Sequence, residues 1–425
     1  MERRHEPYLA VGERRVAGPA GTAPSDHRAT GTAATTYRDG VPHRVYLDHA
    51  ACWPLRPEAR QAWLDVHHLG VADPARRHTE GRTARDLLDR ATASVAGLLG
   101  SDEGRVTWTS GGTEAVHLAV LGSARAAERR GEHRRHLVVS AVEHSSVLRA
   151  CERLRDEHGH ELTVIGVDGA GLVDADEMAA AIRDDTLAVH LQHANHEVGA
   201  IQPTHEVARV CRERGALLHV DACQTVGQLG LTLEQLGADL LSASAAKFGG
   251  PPGTGLLAAG PRGRVAPLLE GDERQHRRRA GLEDVAGIAA AAVALTVAQA
   301  NLQTERSARE LVRRHLRARL PETVDDLALH GPLADAHPGI VAVSALYVDG
   351  EALVTELDAA GFAVHSGSSC AATSGEPSHV LVAMGALTHG HVRIAVGPDT
   401  TLADADAFVS AYAEVVAGLR RTIGR

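Results

Sequence analysis

The sequence predicts an α/β protein in which a mostly parallel sheet, covered by helices on both faces, is followed by a smaller α+β unit. Three observations predict it. From about residue 45 onward, short apolar runs rich in Val and Leu alternate with longer stretches of helical period. The helical stretches stop at glycine, as helices do. Beyond a long alanine-rich segment the pattern changes to shorter, mixed elements. Strands alternating with helices call for parallel pairing, and ligands of such sheets sit beyond the carboxyl ends of the strands.

In chain order, the first 44 residues carry much Gly, Ala, Pro, Thr and Arg without apolar periodicity, and read as a disordered extension. Their arginine pairs lack the following apolar stretch of a secretory or twin-arginine signal. HLVVSAV (136–142), LAVHLQHA (187–194), ALLHVDA (216–222) and LLSASAA (240–246) read as buried strands. SSVLRACERLRDEHG (145–159) and HEVARVCRERG (205–215) space apolar residues three and four apart and read as helices. Residues 282–316, from LEDVAGI to RRHL, read as one long helical stretch leading into the smaller unit. There GIVAVSALYV, EALVTELDAAG, FAVHSG, HVRIAVG and ADADAFVSAYAEVVAGLRR supply the α+β pattern.

A chain of 425 residues with 44% hydrophobic residues can bury a large core. Its formal net charge of −10, with no long Lys/Arg run after the first segment, points away from nucleic acid and from anionic membranes as partners. No apolar stretch has the length of a membrane span. Cys52, Cys151, Cys211, Cys223 and Cys370 show neither CxxC nor another metal-ligand spacing, which argues against a disulfide scaffold and a zinc site and fits a reducing cytoplasm. Apart from Cys370 they read as small buried hydrophobes. Cys52 is the exception to watch, and strand alternation is expected to point Cys223 away from its neighbour Asp221.

Of 44 lysine and arginine residues one alone, Lys247, is lysine. Arginine can take over surface charge, but it cannot lose its proton on desolvation and condense with a carbonyl as a primary amine does. Asp221 ends one predicted strand and Lys247 follows the next, so both fall at the same sheet edge. A buried carboxylate near an imine-forming lysine is what a pyridoxal phosphate site requires, because it keeps the pyridine nitrogen protonated. Upstream, WTSGGTEA puts small residues after a strand and opens a helix near Gly112 and Thr113, a geometry that offers N–H groups to a phosphate. Ser244 stands three residues before Lys247 and adds a hydroxyl, while His144 follows another strand.

The ordered motifs YLDHAA, TSGGTEA, SAVEHSSVL, NHEVGAIQP, HVDACQTVG, SASAAKFGGPPGTG, RAGLEDVAGI, SGSSCAATSGEPSHVL and VRIAVG resemble the cysteine desulfurases, fold-type I pyridoxal phosphate enzymes of the class V aminotransferase group. The resemblance runs from about residue 45 to the end. It implies that Lys247 tethers pyridoxal 5'-phosphate, that Asp221 partners the pyridine nitrogen and that His144 stacks on the ring. Gln224 would donate to the ring hydroxyl, as His196 could in the right tautomer. Gly112, Thr113 and Ser244 would hold the phosphate, and Arg393, with Asn195, the substrate. The substrate is L-cysteine. Lys247 moves its α-proton, and the Cys370 thiolate, on a loop of small residues, takes the sulfur as a persulfide for an unidentified acceptor, leaving alanine. A homodimer in the cytoplasm, without a metal, is implied. On this reading 45–60 joins the small domain, 61–305 is the cofactor-binding domain, and 306–425 is the small domain carrying Cys370.

Three positions depart from the family. Ala246 replaces a histidine that helps bind the phosphate, His196 an asparagine, and Leu282 a threonine that reaches the other subunit's phosphate. Looser cofactor binding is expected, unless Arg277, Arg278 and Arg279 supply substitute contacts. The departures leave two alternatives open, a pyridoxal phosphate lyase cleaving a C–S bond in another amino acid and a non-enzymatic sulfur-trafficking scaffold.

Overall fold

The computed structural model describes residues 44–367, 377–422 and 424, which all belong to one compact unit. Cys370 and nearly all of the expected N-terminal extension lie outside the described residues. After a short strand β1 (Val45–Tyr46), seven strands form the main sheet. They are β2 (Val106–Thr109), β3 (His136–Ser140), β4 (Glu161–Ile165), β5 (Thr186–His190), β6 (Leu217–Asp221), β7 (Leu240–Ser244) and β8 (Gly255–Ala259), in the order β2-β8-β7-β6-β5-β3-β4. Strands β3 to β7 pair in parallel, and β8 runs antiparallel to both its neighbours.

Every residue of β3, β5 and β8 is buried, as strands covered on both faces must be. Alternation along β3 shows the two faces. Val138 joins a core with helix α1 (Pro57–His68), helix α2 (Thr79–Leu99) and the helix Val285–Ala300. Its neighbours Leu137 and Val139 join a different core with helices α3 (Gly112–Arg129) and α4 (Ser145–His158). The predicted doubly covered, mostly parallel sheet is therefore what the chain forms.

The stretch expected as one long helix is two, Val285–Ala300 and Leu302–Thr323, bent by 71° at Asn301. Their compositions explain the division. The first is apolar on all sides and is buried against α1 and α2, while the second carries one apolar stripe. Among the described residues no single helix is long and apolar enough to cross a membrane.

A second sheet, β9 (Leu327–His330), β10 (Ile340–Ala345) and β12 (His391–Ala395), is antiparallel in the order β12-β10-β9. Leu316 and Leu320 pack on it from one helix and Phe408 and Tyr412 from the C-terminal helix Leu402–Thr422. Strand β1 pairs in parallel with β11 (Phe362–Ala363), Leu47 enters the same core, and Asp48 bridges Ala395. The segment after β1 is thus tied to the second sheet before the chain enters the first.

One close approach aligns α3 with the sheet. A Cβ at Gly255, the first residue of β8, would stand 2.4 Å from the carbonyl carbon of Gly111, just ahead of α3. Both sides are backbone, so neither can swing away. Gly255→Ala is expected to cost about 1–3 kcal/mol by overpacking, read as a lowered thermal midpoint.

Candidate active site

A cavity of about 370 Å³ opens where β5, β6 and β7 end and α3 begins. Lys247 enters it from a one-turn 3₁₀ helix directly after β7, and Asp221 is the last residue of β6. Parallel strands end at one edge, so elements far apart in sequence deliver their terminal residues to one place. Gly112, Thr113, His144, His196, Gln224, Ser244 and Arg393 also line this cavity, so the structure gathers nine of the eleven site residues expected from the sequence; Asn195 does not line it, and Cys370 lies outside the described residues.

The Lys247 amine donates to the carbonyls of Ala50 (2.7 Å) and Ala51. Burial pushes its pKa below the ordinary 10.5, and Arg393 adds to the effect, against Cys223, Cys52 and Asp48. His144 caps α4. Its Nδ1 accepts from the Ser146 N–H (3.2 Å), which leaves the proton of the neutral ring on Nε2, and the ring stands edge-on to His196 with centroids 5.3 Å apart. Burial lowers the pKa of both histidines, that of His196 well below 6.5.

Helix α3 begins at Gly112 without a side-chain cap, so its first N–H groups have no partner from a capping side chain. A Cβ at Gly112 would meet Cys223 Sγ at 2.8 Å and Ser244 Cβ at 3.2 Å, so only glycine lets these walls close around the helix end. Arg393 on β12 reaches across from the second sheet. It donates to Asp48 Oδ1 (2.7 Å) and to the His196 carbonyl (3.1 Å), and its buried Nε has no partner among the described residues.

Four expectations need correction. Asn195 is fully buried, its oxygen accepting from the N–H groups of Glu197 and Val198 and its amide donating to the Val142 carbonyl (3.1 Å). It locks a turn and does not line the cavity. Gln224 was expected to donate to a ring hydroxyl, but its amide N–H goes to the Ala50 carbonyl (2.9 Å) and its free end is the oxygen, an acceptor. Cys223 lines the cavity rather than pointing away: residues two apart share one face of a strand, and the turn after β6 leaves Cys223 on the side of Asp221. Of the three arginines, Arg277 pairs with Glu273, Arg278 donates to the Gly104 carbonyl (2.8 Å) and Arg279 to Glu114 (3.0 Å). None lines the cavity.

Sequence reasoning also passed over His365, which lines the cavity beside Arg393, and Glu143, which is fully buried behind it. Their signals were the histidine of FAVHSG and the acid next to His144. Burial pushes the Glu143 carboxyl up to about 8, although Ser140 Oγ (2.6 Å) and the Gln192 N–H (2.8 Å) both donate to it, and Glu197 rises to about 7 for the same reason.

The class-V aminotransferase family matches residues 45–408. A cysteine desulfurase IscS from Dictyoglomus turgidum is 35% identical over 379 residues, covering 88% of this chain and 95% of that protein. Among solved structures, a NifS-like protein superposes with a TM-score of 0.81 at 28% identity, over 88% of this chain and all of that one. Another, described as SspA in complex with cysteine, gives 0.71 at 25% identity over 83% and 99%.

The raised carboxyls predict a pH dependence. The folded chain keeps protons on Glu143 and Glu197 that the unfolded chain releases above its ordinary value of 4.5, so their contribution is fully present below that value and is lost as pH rises through about 7 and about 8. Glu143→Gln retains an acceptor for Ser140 and Gln192. Its thermal midpoint is expected to fall less than that of the wild type between these pH values.

Proposed function

The chain belongs to the class-V aminotransferase family, in its cysteine desulfurase branch, and from that membership we propose that it converts L-cysteine to L-alanine and passes the sulfur on through Cys370. The observation that carries the proposal is the meeting of the sole lysine, Lys247, with Asp221 and Arg393 in one cavity at the strand ends.

The residues present fit pyridoxal 5'-phosphate. The uncapped start of α3, with Thr113 and Ser244 beside it and no room for a Cβ at Gly112, suits a phosphate. The buried Asp221 carboxylate suits a protonated pyridine nitrogen, and the unpartnered Gln224 oxygen suits a ring hydroxyl. When bound, this cofactor supplies an electron sink for the substrate's α-carbon.

The chain's own groups do the rest. Lys247, its amine held partly desolvated, tethers the cofactor and moves the α-proton. Arg393 receives the substrate carboxylate, with Asp48 holding its fork in place. The Cys370 thiolate attacks the substrate sulfur. The new S–S bond makes a persulfide, the C–S bond breaks with its electron pair on carbon, and protonation of that fragment yields alanine. Residues on both sides of the Cys370 segment meet Glu197, next to His196. Ser378 donates to its carboxyl, and Gly367 lies against it.

The proposal extends to a homodimer in the cytoplasm that hands sulfur to a separate acceptor, with neither nucleic acid nor membrane as partner. The net charge of −10 supports the last point.

Incubating the pyridoxal phosphate-loaded protein with L-cysteine and a thiol reductant is expected to give alanine and sulfide in equal amounts, and Lys247→Ala to give neither. Pyruvate in place of alanine would assign the cavity to a lyase. Ala246 lines the cavity where a histidine donor is expected. Ala246→His should tighten cofactor binding, roughly threefold to tenfold if one hydrogen bond is gained, as measured by equilibrium titration.

A further inference from the structure

Behind Asp221 lies a chain of buried polar groups that the reaction itself does not use. Asp221 Oδ1 accepts from the Cys223 N–H (3.0 Å) and from Ser242 Oγ (3.2 Å). Ser242 Oγ lies 3.1 Å from His219 Nε2, and His219 Nδ1 lies 3.2 Å from His190 Nδ1. Ser242, His219 and His190 sit on three adjacent strands, β7, β6 and β5, and each is at most 1% exposed.

Proton counting gives the chain one direction. Ser242 has a single proton, and its two possible acceptors are the Asp221 carboxylate, which can only accept, and the Cys223 sulfur, a weak acceptor that burial keeps as a thiol, so that proton goes to Asp221. Ser242 must then accept from His219, which puts the His219 proton on Nε2 and leaves Nδ1 bare. Burial keeps both rings neutral, with His190 lowered to about 4 and His219 well below its ordinary value. His190 therefore donates from Nδ1 to His219 and keeps a bare Nε2, which is the buried atom found without a partner. Reversing the chain would turn a Ser242 lone pair toward the Asp221 oxygen.

We propose that His190, His219 and Ser242 are positioning residues whose hydrogen bonds all run toward Asp221, holding its carboxylate oriented for the nitrogen of a bound pyridine ring. The proposal rests on the pyridoxal phosphate reading above. Two donors converge on Oδ1, which leaves Oδ2 for the ring nitrogen. Glu143, kept protonated by burial, adds no competing negative charge behind Asp221 at neutral pH.

The test uses the full-length protein with and without pyridoxal phosphate. In ¹⁵N-histidine-labelled protein, with signals assigned from single variants, His219 is expected as the Nε2–H tautomer and His190 as the Nδ1–H tautomer. The opposite tautomer at either ring, or a doubly protonated ring at neutral pH, would overturn the proposal. With ¹⁵N-labelled cofactor, the wild type should show a protonated pyridine nitrogen. His219→Leu should shift that signal toward the unprotonated form and weaken cofactor binding about threefold to tenfold, the loss of one neutral hydrogen bond, the one that orients Ser242. His219→Gln, with an amide N–H in place of Nε2–H, should restore both. Ser242→Ala deletes the same bond with a smaller change in volume and serves if His219→Leu does not fold. An unchanged nitrogen signal and affinity in a folded variant would refute the relay. A wild type that binds no pyridoxal phosphate would instead sink the functional reading, while the tautomers still judge the relay.

Discussion

The arrangement depends on holding the Lys247 amine out of bulk water, and the segment after β1 is what holds it. That segment lays the Ala50 and Ala51 carbonyls over the amine and gives Ala50 to Gln224 as well. The Trp53 N–H donates to the Ala246 carbonyl (2.8 Å) and the Arg56 N–H to that of Gly249 (2.9 Å), so the segment is stitched to both sides of the lysine. The guanidinium groups of Arg56 and Arg309 stand over the Trp53 ring, 5.5 and 5.2 Å from its centroid. Asp48, in the same segment, fixes Arg393. One stretch of chain thus joins the two sheets around the amine.

Desolvation has a cost for every charge near the cavity, and the protein meets it mainly by keeping titratable groups neutral. Buried carboxyls at Glu143 and Glu197 are pushed up, and histidines at 49, 190, 193, 196 and 219 are pushed down. A neutral histidine still offers one donor and one acceptor. His136 uses this between Thr186 and Thr163, and His330 reaches Ser344, which also meets His391. The Lys247 amine, the Asp221 carboxylate and the Arg393 fork come to the cavity from separate elements, the turn after β7, the end of β6 and the middle of β12.

The parallel sheet, the strands carrying Asp221 and Lys247, and the helix opening at Gly112 were legible because each leaves a local mark: an apolar run, a glycine or a hydroxyl at a fixed offset. The break at Asn301 was not, since good helix formers run on both sides of it, alanine before and mainly Arg, Leu and Glu after, and the bend comes from packing against two different cores. Asn195 and Gln224 were misread for a related reason. An amide has both donor and acceptor, and sequence does not say which neighbour takes each.

By itself the sequence determined the fold class and which residue types carry the chemistry, because hydrophobic period and the retention of a sole lysine are properties of the chain read in order. Tertiary structure alone decided that Asp48 holds Arg393, that Cys223 faces the cavity, and that His190 and His219 line up behind Asp221. Those relations join residues from different strands and from opposite ends of the chain. They exist only once sheet register brings the groups within hydrogen-bonding distance.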